Sequence, residues 1–263
     1  MKFDNKRITF SKKDLYRRIA LPKELNEDLA YLLGFHLGDG HMRQCRRRSG
    51  AIESAIFYDG HSINEYPHYR EFICPLIRRL FNYEWRIDIR KNSNNLRIMI
   101  GSRAIVDFLH LLCGLPIGPK TDASIPEVVL NANKEIKCAF LRGLVDTDGS
   151  LVFKNKKGDK VQYPTIDFQM SNRRLIEDIA KMLKELGFSF HSGSRMKNRY
   201  ERLHESHYIQ INGKKSLEKW MSCIGFSSSN HLTKLQVWEK FKYLQPRTSI
   251  LDRMKMLEEN PLK

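Results

Sequence analysis

Two aspartates in this 263-residue chain, Asp39 and Asp148, close two stretches of the same kind, 109 residues apart. The first reads Asp28-Leu-Ala-Tyr-Leu-Leu-Gly-Phe-His-Leu-Gly-Asp-Gly40 and the second Lys137-Cys-Ala-Phe-Leu-Arg-Gly-Leu-Val-Asp-Thr-Asp-Gly149. At that single offset Ala30 aligns with Ala139, Leu32 with Leu141, Gly34 with Gly143 and Gly38 with Thr147. A lone Asp-Gly is ordinarily a solvated turn. Two in register, each closing an apolar helix, point elsewhere. A carboxylate in the last turn of a helix faces the negative end of its dipole, a mismatch of roughly 0.3–1 kcal/mol. Side by side, the two would also repel. A divalent cation relieves both problems, and hard oxygen ligands suit Mg²⁺.

The elements that must position these groups are two helices. Small residues recur every four positions, at Ala30, Gly34 and Gly38 and again at Ala139, Gly143 and Thr147, making one narrow stripe per helix. Leu29, Leu32, Leu33 and Leu37, with Leu141, Leu144 and Val145, give the bulk around it. A smooth stripe lets another backbone come close. Glycine within a helix costs about 1 kcal/mol against alanine, and packing of one stripe on the other is the compensation. Gly40 and Gly149 read as ordinary helix stops.

The segments Leu32-Leu-Gly-Phe-His-Leu-Gly-Asp-Gly40 and Leu141-Arg-Gly-Leu-Val-Asp-Thr-Asp-Gly149 resemble the two LAGLIDADG motifs of single-chain homing endonucleases. The first copy departs at Leu37, where the family has its earlier aspartate, and both copies keep the later one. The resemblance runs from about residue 21 to the 230–247 region. It implies metal binding by Asp39 and Asp148, with carbonyls at Gly38 and Thr147 as further ligands. It also implies Mg²⁺-dependent cleavage of both strands of a long DNA target with short 3′ overhangs, Mn²⁺ substituting and Ca²⁺ binding without cleavage. Lys120 matches the family's catalytic lysine position, and a solvated loop lysine is the plain alternative. In the second half Asn230 and His231 stand where a lysine is usual, with Lys234 one turn later. Asn172 resembles a water-positioning residue and reads equally as a helix cap. His36, in mid-helix, reads as packed.

Composition agrees with a polyanion partner. Lys and Arg number 46 against 30 Asp and Glu, a formal charge of +16. Hydrophobic residues make up 41% of the chain, enough for a folded core. The five cysteines, Cys45, Cys74, Cys113, Cys138 and Cys223, include no C-x-x-C pair, so neither a disulfide framework nor a zinc site is indicated. No apolar run reaches the length of a membrane span, and no signal peptide is evident. The expected location is the cytoplasm, or an organelle interior for an organelle-encoded chain.

Taken in order, residues 1–23 form a basic extension with a short helix around 12–20. The first half, 24–113, has its motif helix, a hairpin whose tip holds Arg43, Arg46, Arg47 and Arg48, and a helix over 64–81. Strands over 84–90 and 96–100 follow, carrying Arg86, Arg90 and Arg97, and a helix over 103–113 ends the half. A linker spans 114–136. The second half, 137–226, repeats the plan: strands over 150–156 and 162–170 around Lys154, Lys156 and Lys157, then a helix over 172–187. Strands over 188–195 and 207–212 follow, around a tip with Arg195, Lys197, Arg199 and Arg202, and a helix over 216–225. A C-terminal helix and basic tail complete residues 227–263. The expected class is α+β. Two pseudo-symmetric αββαββα halves pack through the motif helices, and curved antiparallel sheets form a saddle for duplex DNA. The expected state is a monomer with internal two-fold pseudosymmetry. Two other readings compete: a maturase of the same fold acting on intron RNA with weak or lost cleavage, and a DNA-binding regulator. Paired carboxylates disfavour the regulator.

Overall fold

The computed structural model describes residues 1–48, 50, 52–90, 93–155, 162–199 and 202–258, without the side chains of 197–199, 202 and 204. An N-terminal segment carries α1 (Lys12–Tyr16). The first half follows as α2 (Glu27–Asp39), β1 (Gly40–Arg46), β2 (Ile52–His61), α3 (Tyr66–His68), α4 (Cys74–Phe81), β3 (Ile87–Ile89), β4 (Asn95–Ile100) and α5 (Arg103–Asp107). The connection contains α6 (Glu127–Leu130). The second half comprises α7 (Lys134–Asp148), β5 (Gly149–Asn155), β6 (Gln162–Met170), α8 (Arg173–Glu185), β7 (His191–Arg199), β8 (Arg202–Asn212) and α9 (Lys214–Cys223). Last come α10 (Ser229–Phe241) and α11 (Ile250–Glu258).

Each half builds one four-stranded antiparallel sheet, ordered β1-β2-β4-β3 and β5-β6-β8-β7. Alternation sorts the faces. Met42, Ile56, Tyr58, Ile98 and Ile100 lie under the first sheet, and Leu151, Ile166, Phe168, Ile209 and Ile211 under the second, all buried against helices. The opposite faces carry His41, Arg43, Phe57, Asp59 and Arg97 in one sheet and Lys154, Asp167, Arg195, Tyr208 and Gln210 in the other. The α+β arrangement of two related halves stands as expected.

The helix pair at the centre starts symmetrically. Asn26 caps α2 by accepting from the Leu29 N–H, and Asn133 caps α7 by accepting from the Ile136 N–H. Their seam is steric. A Cβ on Gly34 would land on the Phe140 carbonyl oxygen and 2.9 Å from the Leu144 nitrogen; one on Gly143 would land on the Tyr31 carbonyl and 2.9 Å from the Phe35 nitrogen. Gly38 abuts the Thr147 side chain in the same way. Gly40 and Gly149 differ from expectation. Both are extended, at φ −78° and −92°, so neither is needed for a left-handed stop. They give room instead: a Cβ would sit 2.7 Å from the His36 Cα or 2.8 Å from the Val145 Cα, because each helix passes straight into its strand.

Several boundaries move. The helix expected over 64–81 widens into a π-turn at Tyr69–Ile73, where the Cys74 N–H reaches the Tyr69 carbonyl. Pro75 follows in the first turn of α4; it has no N–H and crowds the carbonyl four residues back, which a wider turn relieves. The strand expected over 84–90 shrinks to β3, with Ile89 exposed at the sheet edge. Helix α7 begins at Lys134, inside the stretch assigned to the linker. Strands β7 and β8 are longer than expected, so Arg195, Lys197, Arg199 and Arg202 occupy paired strands instead of a loop tip. In the first half Arg43 and Arg46 likewise lie in β1, not at its turn. The C-terminal tail contains α11, whose Arg253 is buried.

Candidate active site

Asp39 and Asp148 are the last residues of α2 and α7, and the residues before them, Gly38 and Thr147, touch across the seam. Both carboxylates therefore flank one point of helix contact. Burial raises the Asp39 carboxyl to about 8, with the Glu65 and Asp148 carboxylates adding to the effect and the Lys120 ammonium opposing it. Asp148 is more open to solvent, yet the surrounding protein raises it also, with Lys120 again opposing. Lys120 acts on both, and its own value is lowered by burial while Asp148 and Asp39 pull it up.

Lys120 is placed by a loop held at both ends. Its Nζ donates to the carbonyls of His36 at 3.2 Å, Leu37 at 2.9 Å and Gly38. These are last-turn acceptors of α2, which favour a cation; the His36 carbonyl also accepts from the Gly40 N–H. Asn172 secures that loop: its amide donates to the carbonyls of Lys120 at 3.1 Å and Ala123 at 2.7 Å, while its Oδ1 caps α8 at the Leu175 N–H. Asn172 thus caps α8 and, through both amide hydrogens, secures the loop that carries Lys120.

The donor set fits a hard divalent cation. Two carboxylates lie where ionisation is unfavourable without a positive partner, and the Gly38 carbonyl already faces an ammonium. The Thr147 hydroxyl donates back to the Leu144 carbonyl at 2.9 Å. Among the described residues no three His, Cys, Asp or Glu converge, so further ligands must come from carbonyls, water or a bound phosphate.

The second half's candidates have other partners. Asn230 accepts from the Arg253 guanidinium through both its carbonyl and its side chain. Lys234 lines a pocket of about 360 Å³ walled by Leu244, Arg247 and Arg253, and burial with the Arg253 charge lowers it to about 8. His231 is buried and faces Asp146 at 3.4 Å. Asp146 also accepts from the Tyr31 hydroxyl at 2.8 Å and the Ser227 N–H at 2.8 Å, and Tyr31 meets His68 at 3.1 Å. Sequence reasoning missed this network. Its one signal was an acid, Asp146, at a helix position where the first copy has Leu37. His36 is buried as expected, 3.2 Å from the Tyr58 hydroxyl, and burial lowers it to about 3.

The predicted cationic residues divide. Arg43, Arg46, Arg47, Arg48, Arg86, Arg90 and Arg195 are exposed, Arg97 and Lys154 half-buried. Several are already paired: Arg97 bidentately with Asp59 at 2.6 and 2.8 Å, Arg47 with Glu53 at 3.0 Å, Arg86 with Asp88 at 3.0 Å. Arg43 and Arg97 also flank the Phe57 ring, and Arg195 lies 4.4 Å over Tyr208. Lys156 and Lys157, and the side chains of Lys197, Arg199 and Arg202, lie outside the described residues. No helix of the described residues is long and apolar enough to cross a membrane.

Residues 135–225 match the sequence profile of the LAGLIDADG-like domain. A glutamine–fructose-6-phosphate aminotransferase of Methanocaldococcus jannaschii is 25% identical over 234 residues, 87% of this chain and 19% of that protein. A tRNA-splicing ligase RtcB of Methanopyrus kandleri is 26% identical over 171 residues, 60% of this chain and 17% of that protein. The chain thus spans about a fifth of the length of these curated relatives. Among solved structures, I-DmoI in complex with DNA and Mn superposes with a TM-score of 0.53 at 18% identity, over 77% of this chain and 98% of that one. I-SmaMI bound to an uncleaved DNA target with calcium gives 0.52 at 12% identity, over 89% and 98%. By its paired motif helices and its two four-stranded sheets the chain has the α+β fold of solved homing endonucleases such as I-DmoI, and its second half matches the LAGLIDADG-like domain.

Proposed function

We propose that the chain is a site-specific endonuclease that, as a monomer, cuts both strands of a long DNA duplex and leaves short 3′ overhangs. The observation that carries this reading is the pair of aspartates at one helix contact, both coupled to the Lys120 ammonium. Asp39 and Asp148, with the Gly38 and Thr147 carbonyls, would hold Mg²⁺, for which Mn²⁺ can substitute; Ca²⁺ would bind without supporting cleavage. Bound there, the cation supplies an activated water and neutralises charge on phosphate oxygens. Lys120 brings a fixed positive charge toward the phosphate, where it stabilises charge that develops as the bond breaks. Pseudosymmetry gives each strand its own carboxylate. The outer faces of the two sheets supply exposed arginines for the backbone and polar side chains for the major groove.

The homing role has separate support. Segments similar to this chain occupy about a fifth of an aminotransferase and of an RNA ligase, proteins of unrelated activity, as an in-frame mobile element would. Intron RNA has in its favour only the positive charge, which suits either polyanion.

The test is incubation with a randomised duplex library in Mg²⁺, with a chelator control, and sequencing of the ends produced. Metal-dependent staggered cuts at one site are expected. Intact library in both Mg²⁺ and Mn²⁺ would end the proposal.

A further inference from the structure

The N-terminal segment is fastened to the first half at several points. The Asp14 carboxylate is fully buried and accepts from the Ser102 hydroxyl at 2.6 Å, the Ala104 N–H at 3.3 Å, and the Ser11 N–H and hydroxyl at 2.8 and 2.6 Å. Burial acts to raise this carboxyl, and the hydrogen bonds outweigh it, leaving it below the ordinary value. Arg17 donates to the Gly101 carbonyl at 2.9 Å and the Tyr83 hydroxyl at 3.3 Å, and the Ala20 N–H donates to the Phe81 carbonyl at 3.0 Å. Helix α1 is therefore a fixed wall, not a loose arm.

Beside that wall lies a concavity of about 310 Å³, lined by Ser11, Lys13, Arg43, Arg47, Met99 and Arg103 among others. Arg43 and Met99 belong to the outer face of the first sheet, through the register His41↔Phe57, Arg43↔Ala55 and Phe57↔Met99. Four cations line the concavity with one carboxylate, Glu53, which pairs with Arg47 and Arg43. Arg103 pairs with Asp107 at 3.3 Å. Lys13 is exposed and has no ion-pair partner among the described residues.

We propose that this concavity is a phosphate subsite for the duplex backbone on the outer flank of the first half, with Lys13 as its free charge. The proposal rests on the DNA-binding reading above. Strand β1 leaves directly from Asp39, and the concavity is lined by its fourth residue, Arg43, and by Arg47 just past its end. At about 3.3 Å per residue these lie about 13 to 26 Å from Asp39, or about four to eight base pairs at 3.4 Å each. The segment before the second motif helix goes to the centre instead, where it supplies Lys120, so the two flanks of the target are furnished differently.

The experiment compares wild type with Lys13→Ala on the duplex that wild type cleaves, by fluorescence anisotropy in Ca²⁺ across a salt series. Loss of one phosphate contact should weaken binding about fivefold at 0.15 M salt and flatten the log–log slope by about 0.9. A second arm places neutral methylphosphonates about four to eight base pairs from the cleavage centre, on each flank in turn. On one flank they should weaken wild type but not Lys13→Ala; on the other they should weaken both equally. Wild type that binds the duplex while Lys13→Ala matches it in affinity and slope overturns the subsite alone. Wild type that binds no duplex overturns the DNA-binding reading and the subsite with it. Circular dichroism checks the fold of the variant, in which only an exposed side chain is shortened.

Discussion

The two ends of the central helix pair share a backbone and differ in almost everything polar around it. Asp39 lies near Glu65 and Asp148, under the Lys120 ammonium that also caps its helix. Asp148 has no comparable crowd of acids among the described residues, and two residues earlier Asp146 turns inward to Tyr31, His231 and the Ser227 N–H, tying α10 to the seam. The first half has Leu37 at that position, buried among apolar neighbours. Duplication preserved the steric seam because a single added methyl group would part the helices. The polar surroundings, which only have to satisfy local partners, were free to diverge. A symmetric pair of carboxylates thus sits in an asymmetric site.

The sharpest way to break this comparison is to exchange the lysines. Lys120→Met should slow single-turnover cleavage about 10²-fold or more, the usual cost of removing a fixed charge-stabilising donor. Lys234→Met should leave the rate unchanged, since Lys234 lines a pocket with Arg253, the charge that acts on it, and neither motif aspartate does. Equal losses would mean that the second half has its own lysine after all.

The seam itself should respond symmetrically. Gly34→Ala and Gly143→Ala each force a methyl group onto a facing carbonyl and should each cost about 1–3 kcal/mol in urea unfolding. Gly101→Ala, which meets nothing within 4 Å, is the control and should be close to neutral. Unequal costs for the two seam positions would show that the helices are not equivalent.

The polar divergence can be tested by importing one half into the other. Asp146→Leu places the first half's side chain in the second and leaves the Tyr31 hydroxyl and Ser227 N–H without their acceptor. A loss of about 1–3 kcal/mol is expected by thermal melting. Cleavage by the folded fraction should be unchanged if Asp146 only holds structure.

The smallest effect is one of pH. Lys234 is lowered to about 8 from its ordinary 10.5, so between those values the folded chain binds fewer protons than the unfolded one. Stability from this group therefore rises with pH across that window, and charging the lysine below about pH 8 costs stability. Lys234→Met should melt higher than wild type at pH 7, and the difference should close above about pH 10.5.

The motif helices were legible because a repeated four-residue spacing has one simple steric meaning, and the Asp-Gly ends came with them. Strands β7 and β8 were shortened by the sequence reading because their outer portions are rich in charge, without the period-two apolar alternation that marks a half-buried strand. Helix α11 left a signal that went unused: Ser249 and Asp252 exchange hydrogen bonds around its first turn, a capping pair visible as Ser-x-x-Asp before an apolar run. What joins Lys120 to the last carbonyls of α2 was not legible, because a loop's path depends on contacts such as that of Asn172, which no local pattern encodes.

The central claim is that Asp39 and Asp148 jointly hold a cation against a nucleic acid. Measuring duplex affinity and cleavage side by side for the double variant Asp39→Asn, Asp148→Asn in Mg²⁺ addresses it most directly. The account predicts binding as tight as wild type or tighter, because two negative charges have gone, with no double-strand product. Cleavage at the wild-type rate by that variant would contradict it.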